Sequence, residues 1–165
     1  ESYHGRGGNW DGTPIGNALP VEISQNDDRR NCDQPVFARP TATKHPVTDG
    51  LPWSTRPPLI GGFNRFSPRL DALTILEAVL FNAQFDGDTL RCQKQTAEPL
   101  LVVGREGVGR TAALATDVAP HWIGPMVDWG TERVTACAVG AGDVEVGNLY
   151  ADFFRSVLSW TGQFA

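Results

Sequence analysis

Cysteine is scarce in this sequence. Cys32, Cys92 and Cys137 stand far apart, with no CxxC pair to suggest a zinc site or dithiol redox chemistry. An odd, sparse count favours reduced thiols and hence a cytoplasmic setting. No apolar run approaches the roughly eighteen residues of a membrane-spanning helix, and the polar stretch after Glu1 lacks the basic and apolar pattern of a signal peptide. A membrane partner is not expected. Basic excess is missing as well: 14 Lys and Arg against 19 Asp and Glu leave a net charge of -5. Binding to nucleic acid needs a clustered basic face that displaces counterions from phosphates, so this balance argues against it. Three isolated histidines, His4, His45 and His121, have no metal-ligand spacing. Neither a metal nor another cofactor is expected. Methionine occurs once, at Met126, and not at position 1. A processed, cleaved or truncated chain is expected.

What the chain has in quantity is glycine and proline, 18 and 12 of 165 residues, above ordinary usage. Hydrophobic residues at 41% and charged residues at 20% still describe a globular chain. Its length suits a single domain. Residues 1–18 hold five glycines and read as a loop that settles into a strand at Leu19 to Ile23. Prolines 35, 40, 46, 52, 57 and 58 forbid a long helix between 24 and 58. The apolar run Leu70 to Phe81 is ambiguous by periodicity, and its later part is read as strand. PLLVVGREGVGRTAALATD, residues 99–117, reads as two strands around a glycine turn. Leu149, Phe153, Val157 and Trp160, widened by Tyr150, Phe154 and Leu158, predict an amphipathic helix over 148–161. Asn148 is its expected N-cap, Gly162 its expected stop, and a sheet face its expected support.

Gly104, Gly109, Arg110 and Thr111 come close to a phosphate-binding loop. Arg stands where that loop needs Lys, and a strand-like run follows where it needs a helix start, which favours the hairpin. His121, in DVAPHW, follows an apolar run whose end is where ligands gather in open α/β sheets. It is either a general base oriented by Asp117 or Glu145, or a half-buried histidine packed beside Trp122. His45 sits among turn residues and reads as a loop anchor. His4 is a ligand contact or a solvent-facing side chain. None of the three cysteines has the glycine-flanked setting of a nucleophile elbow. Ser2 is either a hydroxyl just beyond a strand absent from this chain or an ordinary loop serine.

Taken together, GNWDGTPIGNALPVEI, DDRR, HPVTDGL, GGFNRF, PLLVVGREGVGRTAALATDVAPHW, DWG and LYADFFRSVLSWTG resemble the C-terminal two-thirds of uncharacterised glutamine amidotransferase-like proteins, in the class I glutamine amidotransferase and DJ-1/PfpI superfamily. The resemblance implies an α/β, flavodoxin-like fold with a mostly parallel sheet that is incomplete in this chain. Residues 1–165 are then the C-terminal portion of one domain, and the N-terminal strands belong to a second polypeptide or a removed segment. An oligomer is expected. His121 matches the position after the strand that bears the triad histidine, but Pro120-His121-Trp122 replaces His-Pro-Glu. The extra stretch from Thr131 to Gly147 is expected to form a small hairpin that shapes a pocket or a subunit contact. The implied activity is hydrolysis or transfer at an amide or ester, with Ser2, Asp117 and His121 as catalytic candidates. His4, Trp10, Trp122 and Glu145 are the candidates for contact with a small-molecule substrate. The competing expectation is a non-catalytic domain of the same fold, used for ligand binding or assembly.

Overall fold

The computed structural model describes residues 2–3, 6–118, 121–137, 139–140 and 142–163. A glycine-rich opening forms a short ladder of β1 (Ser2–Tyr3) and β2 (Arg6–Gly7), followed by α1 (Pro14–Ala18). Thr13 starts α1: its hydroxyl accepts the Gly16 N–H at 3.0 Å, and Pro14 fills the first helical position. Strand β3 (Val21–Glu22) then pairs with β6 (Ser67–Pro68) in a second two-stranded ladder.

Five strands make the main sheet. They are β4 (Arg29–Pro40), β5 (Leu59–Asn64), β7 (Leu73–Asp86), β8 (Thr89–Glu106) and β9 (Gly109–Leu114), in the spatial order β5-β4-β7-β8-β9. Every pairing among the described residues is antiparallel. The mostly parallel sheet that the resemblance implies is therefore not built from these strands. The local chemistry explains why. The β7–β8 and β8–β9 connections each have two turn residues, with Gly87 at φ +59° and Gly107 at φ +57° in first place. Such a turn returns the chain antiparallel, whereas a parallel neighbour needs a long crossover. The proline-rich segment crosses as β4, and its register breaks between Asn31 and Val36, so Pro35 falls in a bulge where no ladder N–H is required.

Ile75, Leu76, Ala78, Leu101 and Val103 carry the core on one side of the sheet, together with Ala38, Ile60 and Phe63. Helix α2 (Asn148–Gly162) closes that side with Tyr150 and Phe153. Trp53 lies 4.5 Å from Trp129 and 5.6 Å from Phe153, ring centre to ring centre. The Trp53 indole donates to the Thr48 carbonyl at 2.8 Å and that of Trp129 to the Arg56 carbonyl at 2.7 Å. Buried indoles that find backbone acceptors thus fasten the proline loop under the helix. On the other side, Val21 packs on Val102 and Ala113, with Leu19, Ile23 and Phe66 around them.

The predicted hairpin in the 131–147 stretch forms as β10 (Arg133–Ala136) against β11 (Val144–Gly147). At the start of α2, Gly147 occupies the cap position and Asn148 is the first helical residue. The Asn148 Oδ1 instead accepts the N–H groups of Thr131 and Glu132, at 3.2 and 3.3 Å. Leu158, counted above in the apolar stripe, is 64% exposed. Gly162 is the last helical residue, and the left-handed cap position falls to Gln163. No helix among the described residues is long and apolar enough to cross a membrane.

Candidate functional site

The site grows from the end of β9. Beyond Leu114, the Ala115 N–H donates to the Leu100 carbonyl and its own carbonyl accepts the Asn64 N–H, both at 2.8 Å. This clamps the departing chain between β8 and the end of β5. Two residues later, the Asp117 carboxylate accepts the Ile123 N–H at 2.7 Å and the Trp122 N–H at 3.0 Å. An aspartate that takes amides five and six residues ahead holds Trp122 and Ile123 back against the chain that leaves β9. The Tyr150 hydroxyl donates to the Val118 carbonyl at 3.2 Å, tying the same turn to α2. Burial, and then the charge of Asp117, raises the Tyr150 pKa above its ordinary value.

His121 stands on this turn with its side chain 78% exposed, and its Nδ1 lies 3.9 Å from Asp117 Oδ2. Its ring stacks on that of Trp122 at a centroid distance of 5.8 Å. Trp122 is fixed in turn. Its carbonyl accepts the Gly61 N–H at 2.6 Å, and its indole donates to Asn31 Oδ1 at 2.8 Å. Gly62 makes that approach possible, since a Cβ there would come within 2.7 Å of the indole.

A cavity of about 660 Å³ opens beside this turn. Leu19, Val21, Ile23 and Phe66 line it from one side of the sheet, while Phe154 and Val157 of α2 line it from the other. Asp28, Arg29, Asn64, Asp117 and His121 supply its polar groups. Asp28 is buried and accepts a hydrogen bond from Asn64 Nδ2 at 2.6 Å.

Among the residues singled out by sequence, Asp117, His121, Trp122 and Trp10 line this one cavity. Ser2 lies in β1 opposite Gly7, with its side chain outside the described set, and His4 falls outside the described residues altogether. Glu145 is exposed on β11, opposite Thr135, with a carboxylate oxygen 4.0 Å from Arg133 Nε. It is not among the cavity-lining residues. Neither is any of the three cysteines, all of which are free thiols. Burial raises the Cys32 thiol, and a hydrogen bond to Asp143 raises that of Cys137, so neither is tuned toward a thiolate. Among the described residues no group of three or more His, Cys, Asp or Glu side chains converges on one point. Sequence reasoning missed the role of Asp28 and Asn64. Nothing in DDRR marks its second acid as the buried one.

Comparison with known proteins adds a family. Residues 2–137 match a family model described as "Putative glutamine amidotransferase". A search of curated proteins finds no match. Among solved structures, Cytoplasmic Protein STM1381 from Salmonella typhimurium LT2 aligns at 24% identity with a TM-score of 0.67, over 94% of this chain and 49% of that one. Cytoplasmic Protein STM3548 from Salmonella typhimurium aligns at 22% identity with a TM-score of 0.62, over 94% of this chain and 48% of that one. These likenesses show a shared fold, and the chain spans about half the length of each structure.

Proposed function

Since this chain belongs to the glutamine amidotransferase-like family, we propose that it carries the histidine side of a site for hydrolysis or transfer at an amide or ester carbonyl. The observation behind this reading is the pair formed by His121 and Asp117, 3.9 Å apart at the rim of the cavity. A nucleophile hydroxyl, with Ser2 as the candidate in this chain, adds to the carbonyl carbon as its proton passes to the His121 imidazole. The imidazolium then returns that proton to the leaving amine or alcohol, and a water or acceptor repeats the cycle on the acyl intermediate. Asp117, with Oδ2 3.9 Å from His121 Nδ1, is the carboxylate that faces the imidazole in this reading. Trp10 and Trp122 serve as substrate walls, with His4 and Glu145 as further contacts. In this reading the chain is the C-terminal portion of a single cytoplasmic, oligomeric domain whose full sheet is flavodoxin-like. A second polypeptide or segment supplies the rest.

The test is turnover of a panel of small amides and esters by the chain co-purified with the polypeptide encoded immediately upstream of Glu1. Loss of a general base costs about 10²–10⁴-fold, so His121→Ala should lower the rate by that much. A silent panel, or an unchanged rate in the variant, refutes the catalytic reading.

A second reading has its own support. The Asp117 carboxylate already holds two backbone amides, and no cysteine lies at the cavity, both of which suit a non-catalytic domain for ligand binding or assembly. A silent panel joined to ligand-induced stabilisation selects that reading.

A further inference from the structure

We propose that the open edge of β9 is the seat of an added β-strand, supplied by the portion of the domain that lies outside this chain, and that the cavity beside it is the space which that strand and its flanking residues fill. The proposal rests on the reading of the chain as part of a larger domain, and it names the surface where the parts join.

The backbone is the first observation. Among the described residues strand β9 pairs only with β8, Gly109 opposite Glu106 and Leu114 opposite Leu101. The Ala115 N–H bonds to the Leu100 carbonyl. Hydrogen-bonded pairs alternate along an antiparallel ladder, so Gly109, Thr111 and Ala113 face β8. Arg110, Ala112 and Leu114 turn their N–H and C=O groups outward, where they meet no partner among the described residues. The opposite edge of the sheet is treated differently. There the N–H groups of Gly61 and Asn64 on β5 donate to the carbonyls of Trp122 and Ala115. The chain thus closes the β5 edge, and the Ala115 carbonyl ties the far end of the β9 edge to β5, leaving Arg110, Ala112 and Leu114 as the open stretch.

Composition points the same way. Solitary edges are usually blunted by Lys, Pro or inward-pointing charges. Arg110 turns its guanidinium onto Trp160, and beyond it residues 111–115 of β9 and its exit read Thr-Ala-Ala-Leu-Ala, without charge or proline. Ala113 and Ala115 are buried, and Ala112, Thr111 and Leu114 are half-buried. The hydroxyl of Thr116, which lines the cavity, is buried without a hydrogen-bond partner among the described residues, a condition that native chains rarely leave uncorrected.

The shape of the cavity is the third observation. It does not sit on one face of the sheet. Val21, packed on one face with Val102 and Ala113, and Phe154 and Val157, packed against the core on the other, line it together with residues 112–116 of the edge. A space that continues both faces of a sheet past its last strand has the form of another strand with its two rows of side chains. The occupant follows from length. The two solved structures named above are matched over only about half their chains, which leaves a comparable length of chain to supply such a strand.

The test is amide hydrogen exchange, resolved by residue, on the chain alone and co-purified with the polypeptide encoded immediately upstream of Glu1. In the complex, the amides of Arg110, Ala112 and Leu114 should slow by at least about tenfold, the equivalent of one added hydrogen bond. Thr111 and Ala113, already bonded to β8, should change less. Ala112→Pro removes the central outward donor while leaving the β8 ladder intact, and should weaken the complex by at least about tenfold without changing the melting of the chain alone. If that variant fails to fold, the exchange pattern of the unmodified chain decides. Unchanged exchange at these three amides in a formed complex, failure to form a complex, or their protection in a homodimer of this chain each overturns the proposal. The two readings fail separately. A protected edge with a silent amide and ester panel refutes the catalysis alone, and an active complex with an unprotected edge refutes the seat alone.

Discussion

Replacing Asp117 by alanine separates a structural clasp from a solvent-facing acid. The carboxylate receives the Ile123 N–H at 2.7 Å and the Trp122 N–H at 3.0 Å, and both residues are buried. A hydrogen bond to a charged acceptor contributes about 1.5–3 kcal/mol, and an amide left buried without a partner costs about 1–3 kcal/mol. The Asp117 side chain is 31% exposed, so solvent screening places the pair near the lower end, at about 2–3 kcal/mol in total. Asp117→Asn retains one acceptor oxygen and should lose about 1 kcal/mol. For a chain of this size each kcal/mol moves Tm by about 2–4 °C. Asp117→Ala should therefore melt about 5–10 °C lower and Asp117→Asn about 2–4 °C lower. The readout is near-ultraviolet circular dichroism on heating, supported by urea titration in which the midpoint falls at constant slope. His121→Ala is the matched control, because its exposed side chain predicts a change within about 0.5 kcal/mol. An Asp117→Ala chain that melts within a degree of the parent would refute the clasp.

Gly62→Ala tests the packing beneath the same turn: the new methyl would lie 2.7 Å from the Trp122 indole and 2.8 Å from the Arg30 carbonyl. Overpacking of this kind costs about 1–3 kcal/mol, and tryptophan fluorescence should shift with it; an unchanged melt and spectrum would contradict the contact. His45 predicts a pH dependence. Its Nδ1 accepts the Val47 N–H at 3.3 Å and its ring meets Trp160 at 4.9 Å, while burial and then the charge of Arg110 lower its pKa. The unfolded chain then binds more protons than the folded one, so stability is full above the ordinary value of about 6.5 and declines as pH falls from there toward the folded value. His45→Asn should flatten that stretch of the stability curve, and a curve that keeps its slope would show that His45 is not the group responsible.

How much of this was readable in the sequence depends on the element. The hairpin around Gly107 was readable because a short glycine-rich loop between apolar runs has few other solutions. Strand β8 extends back to Thr89, which was not readable, since residues 89–98 show no apolar alternation and are held in register only by β7. Helix α2 was readable from its aromatic stripe, yet the roles of Gly147 and Asn148 at its start were not. An asparagine in sequence shows that it can accept an N–H, not whose. The proline-pinned crossing segment was anticipated, but its extended course through the middle of the sheet is set by pairing on both sides. At the site, the spacing of Asp117 and His121 made their proximity foreseeable. The engagement of Asp117 by Trp122 and Ile123 was not, because it depends on how the turn closes. The direction of the sheet was mixed: local glycine turns foretold antiparallel hairpins, while the family resemblance implied parallel strands that the described residues do not contain.

The most direct measurement is a structure of the chain in complex with the proposed second polypeptide or segment of the domain. The account predicts a strand beside β9, hydrogen-bonded to Arg110, Ala112 and Leu114, with its side chains filling the space between Val21 and Phe154. A complex in which the partner docks elsewhere and the β9 edge stays open would contradict it.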